Sequence, residues 1–289
     1  MRVLVTGHNG YIGSVMVPLL QAAGHQVIGL DTYLFSHCTI GPDGGAPFVA
    51  RHGDIRDVTA EDMAGIDAVI HLAGISNDPL GDLNADCTYD INHQASVHLA
   101  RTAKAAGVSR FIFSSSCSLY GSSGDDYIDE SAEFNPVTPY GWSKINTEQD
   151  VGPMADDDFS PTFMRSSTAY GFSPRLRADL VVNNLVGFAY LDGEALIKSD
   201  GSPWRPLVHI EDISRAFLAV LEAPRELIHN EAFNVGVTSE NYQVRDVGDI
   251  VADVVDDAKV VYASDASPDI RNYRVNCDKL PTTLPAFQP

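Results

Sequence analysis

The chain has 289 residues, a hydrophobic content of 44% and a formal net charge of −20 at pH 7. This hydrophobic fraction is ample for one large α/β domain, or for a nucleotide domain with a smaller lobe. The charge argues against DNA or RNA as a partner, because such binding depends on Lys and Arg neutralising phosphates. The excess of Asp over Glu, 29 against 10, fits either a surface suited to high salt or an ordinary acidic protein.

The four cysteines are scattered without a Cys-x-x-Cys pair, and the sequence contains no His-Glu-x-x-His. Neither a structural zinc nor a zinc-protease site is therefore predicted, and a reducing compartment fits best. The chain enters its first strand at Arg2 without a charged and then apolar leader, and no apolar run approaches 18 residues. We therefore expect a cytoplasmic protein that is neither secreted nor membrane-spanning.

Short apolar runs alternate with helical patterns through the first two thirds of the chain. The runs are 3–5, 27–30, 48–50, 68–72, 111–113 and 162–164. A helix is predicted over 92–106 from apolar residues at helical spacing, and another begins at Tyr140 after a proline suited to a helix start. Strands that alternate with helices favour a parallel sheet.

After about Arg165 the alternation gives way to segments interrupted by Pro and Gly. Helices are predicted near 178–191, 210–222 and 244–255. No helix is expected after the proline-rich stretch 284–289, so the chain is expected either to be trimmed or to have a loose end. We expect residues 1–165 to form a nucleotide domain and residues 166–289 a smaller α/β substrate lobe, with some interchange of chain between them.

A phosphate-binding turn is predicted at Thr6-Gly7-His8-Asn9-Gly10-Tyr11-Ile12-Gly13, between the first strand and a helix over 14–23. The glycines allow a tight turn and a close backbone approach to pyrophosphate. The N-terminus of the following helix favours negative charge. The glycine spacing alone is weak, but its position between a strand and a helix supports a dinucleotide site.

Asp31 ends the next strand, 18 residues after Gly13. A carboxylate there can accept hydrogen bonds from both adenine-ribose hydroxyls and repels a 2′-phosphate. No arginine follows within five residues, so NAD is predicted rather than NADP. The residues expected to contact the cofactor are Gly7, Asn9, Gly10, Tyr11, Ile12, Gly13, Asp31, Asp54, Ile55, Leu72, Ala73, Gly74, Asn92, Ser114, Tyr140 and Lys144.

Tyr140 and Lys144 form the only Tyr-x-x-x-Lys pair of the chain and share one helix face. Oxidation of an alcohol needs a group that takes the hydroxyl proton, and Tyr140 is the predicted base. An ordinary phenol, with a pKa of about 10, is only ~0.1% ionised at pH 7. Lys144, one turn away, supplies the positive field that favours the phenolate. Ser116, at the end of a predicted strand, supplies a nearby hydroxyl.

In this order the motifs resemble the extended short-chain dehydrogenase/reductases, specifically the NAD-dependent nucleotide-sugar epimerase/dehydratase family. The resemblance implies a Rossmann-type doubly wound parallel sheet with a C-terminal substrate lobe. It also implies that Lys144 bonds the nicotinamide ribose and that Ser116 bonds the reacting sugar oxygen. A homodimer is implied through the helices near 92–106 and 140–150, where alanine faces are expected to allow close packing between subunits.

The resemblance also implies a substrate site in the second half. Arg205 begins a segment similar to the family's Arg-Asp-Phe-x-x-Val-x-Asp signature, and Arg271 and Arg274 are similar to its closing phosphate-binding arginines. Thr168 stands where the family's Arg-x-x-Asn-x-Tyr-Gly motif has an Asn that bonds substrate. The further residues expected to line the pocket are Ser76, Asn77, Asn92, Ser173, Arg175, Arg177, Asn183 and Asn184.

The residues after Ser116 discriminate among reactions. Dehydratases of the family carry an Asp-Glu pair there, or at least the Glu, whereas this chain has Cys117-Ser118. Cys117 is expected to be a buried small residue. An epimerase acting most simply at C4 is therefore expected, and a nucleotide-sugar 4-ketoreductase or dehydrogenase shares every motif. A dehydratase and a cofactor-binding protein without catalysis are the remaining alternatives.

Overall fold

The structure is a computed structural model that describes residues 1–41, 45–76, 78–267 and 271–289. Its strands are β1 (Arg2–Thr6), β2 (Gln26–Asp31), β3 (Val49–His52), β4 (Ala68–His71), β5 (Arg110–Ser116), β6 (Ser122–Ile128), β7 (Ser160–Ser166), β8 (Thr168–Tyr170), β9 (Glu194–Ser199), β10 (Trp204–His209), β11 (Glu231–Val235), β12 (Asn241–Gln243), β13 (Lys259–Ser267) and β14 (Asn272–Val275).

Seven of these strands form one parallel sheet in the order β11-β7-β5-β4-β1-β2-β3. From β1 the chain builds outward through β2 and β3 on one side, and through β4, β5, β7 and β11 on the other. The strand order therefore reverses between β1 and β4. Ligands of such sheets bind outside the carboxyl ends of the strands at this reversal. The predicted Rossmann-type doubly wound sheet is confirmed.

Helices cover both faces of the central sheet, and others pack on the smaller sheets of the second half. They are α1 (Gly13–Ala22), α2 (Asp78–Leu83), α3 (Ala85–Tyr89), α4 (Ala95–Ala105), α5 (Pro139–Val151), α6 (Val181–Asp192), α7 (Ile210–Glu222), α8 (Arg225–Ile228), α9 (Val244–Val254) and α10 (Lys279–Thr283). Successive strand residues point to opposite faces. Val3 therefore packs in the core with α1 and α7, whereas Leu4 packs in the core with α4.

The second half adds smaller sheets beside the central one. β12, β10 and β8 form one sheet, β13 pairs with β9, and β14 pairs with β6. A separate hydrophobic core lies between α6, α9 and these strands, around Leu185, Ile197 and Val247. β11 and α7 nevertheless belong to the central sheet and its core, although both come late in the chain.

Most predicted elements of the first half are present, with small shifts. The helix expected over 92–106 is α4, and its first predicted turn lies in a π-helical segment, Asp90–Gln94. The helices expected near 178–191 and 244–255 are α6 and α9, and α7 has the expected bounds of 210–222. The strand runs did not predict β6 or β8–β14.

Of the two expectations for the end of the chain, the loose end was wrong. Residues Lys279–Thr283 form α10, and Pro281 is tolerated because the first turn of a helix has no partner for its N–H groups. Leu280, Leu284 and Phe287 are buried in the core beside α7 and β11. The end is therefore fixed by hydrophobic contacts.

Within the described ranges, no helix is both long and apolar enough to cross a bilayer. The same residues contain no cluster of three or more His, Cys, Asp or Glu side chains arranged to hold a metal ion.

Candidate active site

The glycine-rich turn joins β1 to α1 at the carboxyl edge of the sheet. Gly7 has a φ of +73°, and a Cβ there would lie 2.7 Å from the Ala73 nitrogen. A Cβ on Gly13 would lie 2.4 Å from the Gly7 oxygen. Both positions therefore require glycine. The Gly10 N–H donates to the Gly7 oxygen at 3.0 Å and closes the turn.

The N-terminus of α1 is suited to an anion. Ile12, at the cap position, makes no side-chain hydrogen bond to the helix, and the first turn contains no acidic residue. The helix start therefore keeps its positive end uncompensated by side chains of its own first turn. A phosphate group is the ligand that such a turn and helix start favour.

Asp31 lies beside this turn, as the spacing predicted. Its carboxylate accepts hydrogen bonds from the N–H groups of Asn9, at 3.0 Å, and Tyr33, at 2.7 Å. These bonds fix the carboxylate at the end of β2 while it remains partly exposed. In this position the Asp31 carboxylate can accept hydrogen bonds from the hydroxyls of a ribose.

Asp54 and Ile55 lie at the end of β3, next to a cleft of about 390 Å³. The cleft is lined by Leu30, Arg51, His52, Gly53, Asp54, Asp57, Val58 and Asp62. Asp54 pairs with Arg56 at 2.7 Å, and the hydrogen bond from Arg56 lowers the pKa of Asp54. The Ile55 side chain is buried, so only its backbone is available to a ligand.

The loop after β4, Leu72–Gly74, contacts the turn through its backbone. The Leu72 N–H donates to the Thr6 oxygen at 3.1 Å. Asn92 holds the loop from behind, since its side-chain amide accepts from the Ile75 N–H at 2.7 Å and donates to the Ile75 oxygen at 2.8 Å. Asn92 therefore shapes this side of the site through the backbone that it fixes.

Tyr140 and Lys144 occupy the first turns of α5. Thr138 caps the helix by accepting the Gly141 N–H at 3.1 Å, and Pro139 occupies the first helical position. The Lys144 ammonium lies 5.4 Å from the centre of the Tyr140 ring and 4.7 Å from that of Phe113. The structure thus brings the predicted base and cation together.

Lys144 is only 6% exposed, and its ammonium donates to the Ser114 backbone oxygen at 2.7 Å. Burial lowers its pKa to about 8, with the Glu148 carboxylate opposing the shift. At pH 7 the side chain is therefore still mostly charged. This places a positive charge beside the phenol, as the proposed chemistry of Tyr140 requires.

Ser116 ends β5 and caps the short 3₁₀ turn Cys117–Tyr120. Its hydroxyl accepts from the Ser118 N–H at 3.1 Å and donates to the Ser118 hydroxyl at 3.0 Å. Cys117 is 1% exposed, which confirms it as a buried small residue. Its thiol donates to the Arg165 backbone oxygen, and burial raises its pKa well above the ordinary value.

A buried polar network supports the dyad from behind and was not predicted. Glu148, one turn after Lys144, pairs with Arg165 at 2.6 Å and accepts the Ser115 hydroxyl at 2.5 Å. Arg165 also donates to the Tyr120 hydroxyl at 3.1 Å. The Lys-x-x-x-Glu spacing and the strand-end arginine were visible in the sequence, but nothing in it paired them.

His71 is a second unpredicted support. It is fully buried between the Thr6 and Ser96 hydroxyls, each 2.7 Å from one of its ring nitrogens. Burial, with the nearby Lys144 charge acting in the same direction, lowers its pKa to about 3. The imidazole is therefore neutral at pH 7 and links the end of β1 to α4.

Several residues expected to bind substrate lie instead against the glycine-rich turn. Arg175 donates to the Asn9 side-chain oxygen at 2.7 Å, and Asn183 donates to the Tyr11 hydroxyl at 3.2 Å. The Ser173 hydroxyl donates to the Tyr11 backbone oxygen at 2.8 Å. These residues are therefore placed at the cofactor's side of the site.

The other expected substrate residues are more widely spread. Arg177 donates to the Ser76 hydroxyl at 3.0 Å, which joins this pair at the loop after β4. Thr168 lies in β8 opposite Leu207 of β10. Asn184, in the first turn of α6, donates to the backbone oxygen of Ala178, which precedes the helix. Asn77 lies outside the described residues.

The three arginines of the phosphate motifs lie around β10 and β14. Arg205 is 8% exposed and donates to the backbone oxygens of Trp204, at 2.7 Å, and Arg271, at 2.6 Å. The Arg274 guanidinium lies 4.0 Å and 4.3 Å from the ring centres of Tyr127 and Trp204. Arg205 and Arg271 are thus adjacent, whereas Arg274 is held between aromatic rings.

The sequence matches the NAD dependent epimerase/dehydratase family over residues 3–236. The chain belongs to this family. A UDP-glucose 4-epimerase of Neisseria meningitidis serogroup C is 29% identical over 270 residues, which cover 81% of this chain and 77% of that protein.

Solved structures resemble the whole chain. MoeE5 in complex with UDP-glucuronic acid and NAD is 26% identical, with a TM-score of 0.85, and the match covers 99% of this chain and 93% of that one. DesIV, a dTDP-glucose 4,6-dehydratase from Streptomyces venezuelae solved with NAD, is 25% identical with a TM-score of 0.83, covering 100% of this chain and 92% of that one. NAD is therefore the cofactor of this family member, and the glycine-rich turn with Asp31 fits it. The chain is a sugar-nucleotide epimerase or a related oxidoreductase.

The buried hydroxyl of Ser166 gives a test of how hydrogen bonding at the site affects stability. It pairs with Ser116 on the neighbouring strand, and its buried hydroxyl has no hydrogen-bond partner among the described residues. Ser166→Ala should raise the free energy of unfolding by roughly 1 kcal/mol, because it removes an unsatisfied buried group. Ser96→Ala, which deletes the bonds to Asn92 and His71, should lower it by a similar amount. Urea unfolding measures the change in the free energy of unfolding for both variants. Destabilisation by Ser166→Ala would contradict the prediction for Ser166.

Proposed function

We propose that the chain is a nucleotide-sugar epimerase that most simply inverts C4, through a transient keto-sugar. The observation that carries this proposal is the pair Cys117-Ser118 directly after Ser116. The Cys117 thiol is buried with a raised pKa, and Ser118 is hydrogen-bonded to Ser116. Neither offers a carboxylate to expel a sugar hydroxyl, so elimination is disfavoured. Reversible oxidation at one carbon needs only the groups that are present.

When bound, NAD would supply the chemistry of accepting a hydride and giving it back. Tyr140 takes the proton of the sugar hydroxyl and later returns it, so the reaction involves no net oxidation. The Lys144 ammonium stabilises the phenolate, and the Ser116 hydroxyl orients the reacting oxygen. The keto-sugar must rotate within the site between the two steps, so that hydrogen returns to the opposite face of the sugar carbon.

We assign cofactor binding mainly to residues 1–165 and sugar-nucleotide binding mainly to residues 166–289. β11 and α7 then complete the cofactor sheet from the second segment. Arg205 and Arg271, with Thr168 and Ser76, are the proposed substrate contacts. The UDP-glucose 4-epimerase relatives and the UDP-glucuronic acid bound to MoeE5 support a UDP-sugar as the substrate.

Incubation of the purified enzyme with UDP-glucose, without added cofactor, should produce the C4 epimer. A panel with GDP-, dTDP- and CDP-sugars identifies the preferred nucleotide. Tyr140→Phe should lower kcat by about 10²- to 10⁴-fold, because it removes the proton acceptor, while retaining bound NAD. A strict requirement for stoichiometric NADH or NADPH would overturn the proposal in favour of a ketoreductase. Unchanged turnover in Tyr140→Phe would overturn the mechanism.

The burial of Lys144 predicts a descending limb in the pH profile. The pKa of Lys144 is lowered to about 8, so the ammonium that favours the Tyr140 phenolate is present below pH 8 and lost above it. We expect kcat/KM to fall as pH rises through about 8. Lys144→Arg, although slower overall, keeps its charge at high pH and should lose this limb. A wild-type rate that keeps rising to pH 10 would contradict the assignment.

We propose a homodimer formed through α4 and α5, in which Ala105 is exposed but three other alanines of α4 are not. Ala95, Ala100 and Ala103 are buried within the chain's own core, so they cannot form a subunit surface. Trp142, on the outer side of α5, is 47% exposed and is the aromatic residue suited to anchor an interface there.

Native mass spectrometry should give a mass near twice 31.2 kDa. Trp142→Glu should shift the population toward monomer, because a charge would be buried at the contact. Tyr190→Glu changes a residue that is 80% exposed on α6 and should leave the dimer intact. A monomeric wild-type protein, or equal effects of both variants, would exclude this interface.

A further inference from the structure

A segment of the second half lies directly across the glycine-rich turn of the first. We define the strap as residues 171–177, between β8 and α6. The Tyr11 hydroxyl donates to the Gly171 oxygen at 2.8 Å, and the Ser173 hydroxyl donates to the Tyr11 oxygen at 2.8 Å. The Ser14 and Ser173 hydroxyls are 2.9 Å apart. The strap is therefore bonded to both the turn and the first residues of α1.

The strap also reaches the two neighbouring loops. The Ile40 N–H, in the loop after β2, donates to the Pro174 oxygen at 2.8 Å. Arg177 donates to the backbone oxygen of Ser76, in the loop after β4, at 2.9 Å. Loops from three strands of the sheet, β1, β2 and β4, are thus joined by one short segment. These strands flank the point where a dinucleotide crosses such a sheet.

Arg175 is the cation that the strap carries to the turn. It is 8% exposed, and its guanidinium donates to the Asn9 side-chain oxygen at 2.7 Å. Its backbone N–H donates to the Ser173 hydroxyl at 3.2 Å, which fixes the strap at this residue. Burial lowers the pKa of His8 in the turn, and the Arg175 charge acts in the same direction. The charge of the Arg175 guanidinium therefore acts on the residues of the turn.

The location of this charge indicates what it binds. The helix start of α1 has no acidic side chain in its first turn, and the backbone there favours an anion. A guanidinium adds a full positive charge and directional donors, which suit phosphate oxygens. The neighbouring carboxylate of Asp31 is held by backbone N–H groups of Asn9 and Tyr33. The site therefore combines a helix N-terminus with a buried cation contributed by the other half of the chain.

We propose that Arg175 binds the pyrophosphate of NAD, and that the strap thereby retains the cofactor on the enzyme between turnovers. The inference rests on the proposed function, since an epimerase regenerates its cofactor in place and gains nothing from releasing it. It also reassigns Arg175, which the sequence had suggested as a substrate residue. A ketoreductase, in contrast, must exchange its cofactor in every cycle.

The test compares NAD binding in Arg175→Gln, Arg175→Lys and wild type, each stripped of cofactor and checked for folding by circular dichroism. Gln can still donate to Asn9 but lacks the charge, so its Kd for NAD should rise by about 10- to 100-fold. Lys keeps the charge and should bind more tightly than Gln. Arg215→Gln, which changes a surface arginine paired with Asp212, is the matched control and should bind NAD as wild type does.

Two further measurements separate a cofactor role from a substrate role. Arg175→Gln should be purified with less NAD per subunit, and millimolar NAD should restore its activity with an unchanged KM for UDP-glucose. Wild-type NAD affinity in Arg175→Gln, or a raised KM with full NAD content, would overturn the proposal. Arg175→Met, a second uncharged replacement, decides the matter if the Gln variant does not fold.

The same data distinguish this inference from the proposed function. Weakened NAD binding in Arg175→Gln, without epimerisation of any sugar nucleotide by wild type, would uphold the role of Arg175 and remove the epimerase assignment. Epimerisation by wild type with unaltered NAD binding in Arg175→Gln would uphold the epimerase assignment and remove the role of Arg175.

Discussion

Glu148 and Arg165 form a buried ion pair on which the geometry of the active site depends. The pair joins α5, which carries Tyr140 and Lys144, to the end of β7, and Ser115 brings β5 into the same network. A buried pair of this kind is not by itself a strong source of stability, but removal of one partner typically costs about 3–5 kcal/mol. The reason is that the remaining charge is left uncompensated. The helix with the dyad is thereby held against the strand that ends in Ser116.

The cofactor edge is determined by a different constraint, which is close backbone packing. A side chain at Gly7 would overlap the backbone of the loop after β4, and a side chain at Gly13 would overlap the backbone of the turn itself. This packing aligns the start of α1 with Asp31 and with the strap. The two halves of the chain therefore meet where the phosphates of a dinucleotide are expected to lie. The proposed proton transfer and the proposed cofactor retention depend on separate sets of contacts on the same sheet edge.

The sequence predicted the first half of the fold well, because long helices with a 3.6-residue period and buried strands carry strong local signals. The second half was harder to predict, since strands such as β8 and β12 have only three residues and show no alternation. Their position depends on partners that are distant along the chain. The expectation of a loose chain end was wrong for the same reason. Phe287 is fixed by a core formed with α7 and β11, and proline-rich composition does not reveal such burial.

The sequence by itself determined the glycine-rich turn, the position of Asp31 and the Tyr140-Lys144 pair, because these are short-range patterns whose geometry follows from one turn or one helix. It also determined that no carboxylate follows Ser116. Only the tertiary structure decided where Arg175 lies, since its contact with Asn9 joins residues 166 positions apart. It likewise decided that Ala95, Ala100 and Ala103 of α4 face inward and that Glu148 pairs with Arg165. Contacts of this kind depend on how the elements pack, which no local pattern specifies.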